Sequence, residues 1–237
     1  NYKMRPKLYY RVEENGVPFD NFCSDAAIGA SERGVECITF TDINKVDKNP
    51  YNIVVTSVEE SLEWLDQNIQ AIDDKWATEF KKRKEVITTI DEITDYPCFI
   101  KPYKQIKAFT GLIVNDVREA KLFTQDFKDS VSCQEIVEFE SEYRVYIHKD
   151  RGILGVKHYL GDHYIVPAKS FIDEVYQLSK DNLYQNSYTL DIGIDKKGTN
   201  YLIEINDGWA VGNYGLNPVD YFSFVKARWL QLTGVLK

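Results

Sequence analysis

The spacing of apolar residues changes partway along this chain. Lys7 to Val12 (KLYYRV), Cys37 to Phe40 and Ile53 to Thr56 are short runs of β-branched and aromatic residues that read as strands. Between them, Asp20 to Arg33 follows the turn signal Asn15-Gly16, has helix-compatible spacing and stops at Gly34. Val58 to Ile72 reads as an amphipathic helix with Leu62, Leu65, Ile69 and Ile72 on one face. This alternation predicts a small α/β unit over residues 1–85. The charge run Lys81 to Lys84 (KKRK), flanked by Glu79 and Glu85, is expected on a solvated face near a boundary.

From Tyr96 onward the pattern becomes strands with tight turns: CFIKPY, SCQEIVEF, EYRVYIH, GILGVKHYL, YTLDIGI and YLIEIND. A helix from Pro218 to Leu232 closes the chain. Residues 86–237 are expected to form an α+β body.

Two hairpins carry the candidate chemistry. With Lys197-Gly198 as a two-residue tip, Leu190 falls opposite Ile205, Ile192 opposite Ile203 and Ile194 opposite Tyr201, one wholly apolar face. The other face then sets Asp191 opposite Glu204 and Thr189 opposite Asn206, with Gly193 leaving room for a ligand. Facing carboxylates repel, and a hard divalent cation such as Mg²⁺ offsets that repulsion. In the second hairpin, pairing Val145 with Val156 and Ile147 with Leu154 brings Arg144 opposite Lys157, a cation pair that suits an anion. A bulge at Gly152 is the alternative to this register. Lys101 interrupts the apolar strand CFIKP, where its ammonium calls for an anionic partner. A loop with Lys104, Lys107, Thr110 and Gly111 follows it.

Composition removes several classes. With 43% hydrophobic residues in 237, the chain has enough apolar surface for one large or two small cores. A net charge of -8 disfavours general nucleic-acid binding. No apolar run reaches the roughly 20 residues of a bilayer span, so a cytoplasmic protein with no membrane partner is expected. Cys23, Cys37, Cys98 and Cys133 form no C-x-x-C pair and read as reduced fillers. Met4 is expected to be the native start. No G-x-x-x-x-G-K-[ST] occurs, which disfavours a Walker-type NTPase. Lys101 is followed by Pro-Tyr-Lys rather than x-Asp-Gly, which disfavours a nucleotidyl-transferring ligase.

With these residues in view, Tyr96 to Gly215 resembles the ATP-grasp superfamily, and within it the clade named for one arginine and two lysines. Asp191 followed by Glu204-Ile205-Asn206 looks like the family's metal-binding strands with their E-x-N ending. Lys101 resembles the lysine on the nucleotide phosphates, and Lys107 to Gly111 the mobile phosphate loop, although this one is poor in glycine. Gln134-Glu135-Ile136-Val137 resembles the hinge that holds adenine, which implies roles for Glu135 and Val137. Glu142-Tyr143-Arg144 is similar to the acid-x-arginine strand, with Lys157 as candidate for the second signature lysine.

The resemblance implies an ATP-grasp fold, two α+β subdomains gripping ATP, preceded by a small α/β unit. It implies ATP and Mg²⁺ as cofactors, with metal ligands Asp191, Glu204 and Asn206. It further implies a carboxylate-amine ligase working through an acyl-phosphate on an amino acid, peptide or protein, with Arg144 and Lys157 steadying that intermediate. A kinase on the same scaffold and a non-catalytic nucleotide-binding module are the rival readings. The segment Asp207 to Gly215 is expected to line the acceptor pocket.

Overall fold

The computed structural model describes residues 5–237, so the expected start at Met4 lies outside the described residues. Strand β1 (Lys7–Arg11) pairs in parallel with β2 (Glu36–Phe40) and β3 (Ile53–Val55), in the order β2-β1-β3. Helix α1 (Asn21–Glu32) starts where the Asp20 carboxylate accepts from the Phe22 amide, and it buries Cys23, Ala26, Gly29 and Ala30. Helix α2 (Val58–Leu65) buries Val58, Ser61, Trp64 and Leu65.

The expected continuation of α2 to Ile72 does not occur, because Asp66 turns left-handed at φ 51° and caps the helix at Leu65. Ile69 and Ile72 carry helical spacing by coincidence: they pack against two different cores from a segment with no regular structure.

The chain's end completes the core of its beginning. Helix α6 (Pro218–Leu232) crosses α1 so closely that a Cβ on Gly29 would lie 2.0 Å from the Pro218 carbonyl oxygen. Trp229 packs on Trp64 with ring centroids 5.5 Å apart and donates its indole N–H to the Asn52 carbonyl.

Two four-stranded antiparallel sheets follow. Helix α3 (Thr78–Lys81) leads into β4 (Glu85–Thr88), then come β5 (Cys98–Pro102), β6 (Leu112–Val114), α4 (Val117–Phe123) and β7 (Val131–Gln134). These strands form a sheet in the order β4-β7-β5-β6. Strands β8 (Phe139–His148), β9 (Gly152–Gly161), β10 (Ser187–Asp195) and β11 (Asn200–Asp207) form the other, in the order β11-β10-β8-β9. Helix α5 (Lys169–Asn182), not anticipated from the pattern, buries Phe171, Ile172, Val175 and Ser179 against that second sheet.

Both hairpins keep their predicted register near the candidate residues and lose it toward the turns. Tyr188 to Asp191 pair with Asp207 to Glu204, but Ile192 then faces Leu202 and Ile194 faces Asn200. Ile203 is the extra residue of a bulge, so Leu202 takes its expected place in the apolar face. The turn is held by Asp195, whose side chain accepts from the amides of Lys197 and Thr199. In the other hairpin Arg144 faces Lys157 and Val145 faces Val156, while Ile147 faces Ile153 instead of Leu154. Gly152, at φ +76°, is the left-handed residue of that turn.

The KKRK run also departs from expectation. Lys81, the last residue of α3, is buried and Arg83 is half-buried, while Lys82, left-handed at φ 49°, and Lys84 are exposed. Lys81 is 2% exposed and pairs with Asp74 at 2.8 Å and Glu85 at 2.5 Å.

Candidate active site

The two four-stranded sheets face each other across a cleft. Its floor is where β11 carries Glu204 and Asn206, β10 carries Asp191, β8 carries Arg144 and β5 carries Lys101. Lys101 Nζ lies 3.2 Å from Glu204 Oε2, the direct polar link between the two sheets at this point. Asn206 donates its side-chain amide to Asp191 Oδ2 at 3.3 Å. The structure thus brings Lys101, Arg144, Asp191, Glu204 and Asn206 into one network.

The sheet order supplies something the hairpins alone concealed. Strand β8 lies beside β10, so Asp191 faces Glu204 on one side and Arg144 on the other. Arg144 donates from Nε and Nη2 to both oxygens of Asp191, at 2.8 and 2.7 Å. Asp191 and Glu204 are therefore offset inside the protein by Arg144 and Lys101, and the carboxylate pair requires no guest for electrostatic balance. Burial pushes the Asp191 carboxyl up to about 6, against the two bonds from Arg144 that pull it down. Burial also works against the Glu204 carboxylate, but Lys101 and Asn206 hold its pKa below the ordinary value.

Arg144 is positioned by aromatic rings as well as by Asp191. Its guanidinium carbon lies 4.5 Å from the Tyr214 ring centroid and 5.8 Å from that of Tyr159, and these two rings stack. Lys157 shares the β9 face with Tyr159 and Gly155. The wall opposite, residues 209–216, is pinned by hydroxyls: Tyr221 donates to the Val211 carbonyl, and Tyr146 donates to Gly212 and accepts from the Tyr214 amide.

Gly193 does not leave the expected space for a ligand. The Phe139 ring occupies it, 2.5 Å from where a Cβ would stand.

A cavity of about 410 Å³ holds Lys101, Lys107, Phe109, Thr110, Gly111, Glu204 and Asn206 in its lining. Lys107 adopts φ 55°, and Gly111 sits flat against the Phe99 ring, where a Cβ would come within 2.5 Å. A second cavity, of about 220 Å³, continues from Phe99 to Glu135, Ile136, Val137 and Ile203. Glu135 is partly committed there: its amide donates to the Lys84 carbonyl, and its carboxylate accepts from the Lys84 amide.

Sequence reasoning missed the residues that hold the two sheets in place. Arg83 donates to the Gln134 side chain on β7 and to the carbonyls of Leu202 and Ile203, the pair that the β11 bulge leaves open. Glu85 accepts from Lys81, from the Ser132 hydroxyl and from the Gln134 amide. The uniformly basic KKRK run carries no local signal for them.

Solved structures with this architecture include a RimK domain ATP-grasp protein from Sphaerobacter thermophilus. It has a TM-score of 0.60 at 11% identity, covering 92% of this chain and 98% of that one. D-alanine–D-alanine ligase from Bacillus anthracis, complexed with ATP, gives a TM-score of 0.56 at 11% identity, covering 98% and 99%. N5-carboxyaminoimidazole synthetase from Staphylococcus aureus gives 0.61 at 12% identity, covering 97% and 77%. At these identities the likeness establishes the fold. Residues 80–224 match the model of the ATP-grasp domain, family 2 of the clade named for one arginine and two lysines. The chain belongs to that ATP-grasp family. No curated protein sequence matches it.

Proposed function

We propose that this protein is an ATP-dependent carboxylate-amine ligase that works through an acyl-phosphate on an amino acid, peptide or protein substrate. The observation that carries the reading is the Lys101–Glu204 contact between the sheets, set in a cleft that runs from the Glu135–Val137 segment to the Glu204 and Asn206 side chains. Two of the similar structures are a ligase and a synthetase, which supports the same chemistry. The reading divides the chain into residues 1–85, preceding the core, and residues 86–237, the ATP-grasp core.

Adenine would lie against Phe99, Ile136, Val137 and Ile203, and the triphosphate along Lys101 and the Lys107–Gly111 loop. Glu204 and the Asn206 amide oxygen, both at the cleft, fit Mg²⁺; Asp191 faces Glu204 in register, and with both oxygens already accepting from Arg144 it joins the set through its remaining lone pairs. Among the described residues no group of three or more His, Cys, Asp or Glu converges, so this set is two acids and an amide. When bound, magnesium supplies charge neutralisation at the phosphate oxygens.

The chain's own residues do the rest. Lys101 offsets the charge on the phosphates and holds Glu204 in place. Arg144 keeps Asp191 ionised and oriented through its two bonds, and with Lys157 it faces the transferred group. A substrate carboxylate oxygen attacks the γ-phosphorus and ADP leaves. An amine then attacks the acyl carbon, and phosphate leaves with the C–O electrons. Such transfers depend on positioning and charge stabilisation more than on covalent help from side chains.

The test is ADP release by the wild type and by Glu204→Ala across a panel of amino acids and peptides. Amine-dependent release by the wild type, lost in the variant, is the expected result. Release that needs no amine would favour a kinase. Nucleotide binding without release would favour a binding module. Equal turnover in both proteins would remove the metal site.

A further inference from the structure

The loop between β5 and β6, residues 103–111, is fastened along its length. At its base the Tyr103 amide donates to the Ser130 carbonyl at 3.1 Å, and the Gln105 side chain donates to Asp129 at 3.1 Å. Alongside runs the segment that follows α2. Its Ala71 amide donates to the Lys104 carbonyl at 3.1 Å, and Gln70 forms a β-bridge with Gln105. That segment is held in turn by Ile69, in the core that the first sheet shares with α6, and by Ile72, in the core beneath α5. Ile106 packs into the same core as Ile69. Phe109 packs into the core around β5 and α4, where its ring meets Phe127 edge to face with centroids 5.3 Å apart.

Between these anchors Lys107, Ala108 and Thr110 are exposed, and Lys107 and Thr110 line the cavity that holds Lys101 and Glu204. Lys107 adopts φ 55°, which a residue with a side chain keeps only where its surroundings fix it. Ile106 and Phe109, anchored in two different cores, supply that constraint from either side. The one glycine of the loop, Gly111, stands at its end.

We infer that this phosphate loop is built before nucleotide arrives, and that Ile106 is the positioning residue that aims Lys107 and Thr110 at the triphosphate. A loop that must be ordered on binding subtracts from affinity, whereas one already ordered does not. Its poverty in glycine then has a reason: a loop that stays in place needs none of glycine's freedom. The inference rests on the ATP-binding reading and deepens it, since Ile106 carries the packing of the chain's two ends into the nucleotide site without touching the ligand.

Two measurements on the full chain test this. Hydrogen exchange at the Ala71 and Tyr103 amides, read by NMR, should be slow in the unliganded wild type and stay so when a non-hydrolysable ATP analogue and magnesium are added. The analogue and adenosine would then be titrated calorimetrically against the wild type, Ile106→Ser and Ile106→Val. Ile106→Ser, which releases the anchor, should weaken the analogue about tenfold and leave adenosine unchanged, because the loop reaches only the phosphates. Ile106→Val keeps the anchor and should restore wild-type affinity for the analogue. The exchange measurement on the wild type stands alone if Ile106→Ser does not fold.

Amides at Ala71 and Tyr103 that exchange freely until the analogue binds would overturn the inference. So would an Ile106→Ser protein that loses analogue and adenosine by the same factor, the mark of a merely structural role, or that loses neither. A wild type with both amides protected that binds no analogue would instead count against the ATP-binding reading and not against the fixed loop.

Discussion

Two buried arginine–aspartate pairs in this molecule have nearly the same geometry and different surroundings. Arg228 donates to both oxygens of Asp207 at 2.7 and 2.8 Å, just as Arg144 does to Asp191 at 2.8 and 2.7 Å. Arg228, on the buried face of α6, also meets the Gln231 side chain and the Tyr184 ring. Arg144 is buried beneath the Tyr159 and Tyr214 rings, and its partner Asp191 also touches Asn206 and faces Glu204, which line the cleft. The first pair ties the strand that carries Glu204 and Asn206 to the closing helix. The second is part of the candidate site itself. Bidentate geometry alone does not separate a clamp from a site; what else the carboxylate can reach does.

Removing one partner of a sealed pair leaves a buried charge, so Arg228→Met should cost about 3–5 kcal/mol of stability. A urea unfolding curve checks this, and the folded fraction should still bind nucleotide. Glu204→Ala should reverse that pattern. With Glu204 partly exposed, its stability change should stay near about 0.5 kcal/mol. ADP release, by contrast, should fall by about 100-fold or more, as expected when a charge-stabilising group is lost. Arg144→Lys keeps the charge but loses the fork, and should cost about 1–2 kcal/mol of stability together with a drop in kcat larger than the rise in KM.

The smallest effect concerns the sheet opposite. Burial opposes the Glu85 carboxylate, but bonds from Lys81 and Ser132 outweigh it and hold its pKa below the ordinary value. A carboxyl with a lowered folded pKa adds stability above its unfolded value and loses it as pH falls through the folded one. Urea midpoints measured from about pH 6 to about pH 3 should therefore fall, and Glu85→Gln should flatten the slope.

Much of this was legible before the fold was known, and the failures have physical reasons. Helix α6 was readable from end to end because Pro218 starts it and the apolar face of α6 is continuous. The facing of Asp191 with Glu204 and of Arg144 with Lys157 was readable because alternation fixes register near the middle of a hairpin. The bulge at Ile203 was not, since an extra residue leaves the local apolar pattern almost intact. Sheet order was hidden too: no local pattern says that β8 lies beside β10, and that neighbour relation makes Arg144 the partner of Asp191. Lys81 and Arg83 looked like solvated charge because the acids and carbonyls that receive them are brought near only by the fold.

The claim on which the rest depends is that Asp191, Glu204 and Asn206 bind magnesium beside a bound triphosphate. Calorimetric titration of a non-hydrolysable ATP analogue into the wild type and Glu204→Ala, each with and without magnesium, tests it most directly. The account predicts tight binding by the wild type that weakens about tenfold or more when magnesium is removed, and a variant whose weaker affinity is indifferent to magnesium. Absence of binding, or wild-type binding that does not depend on magnesium, would contradict it.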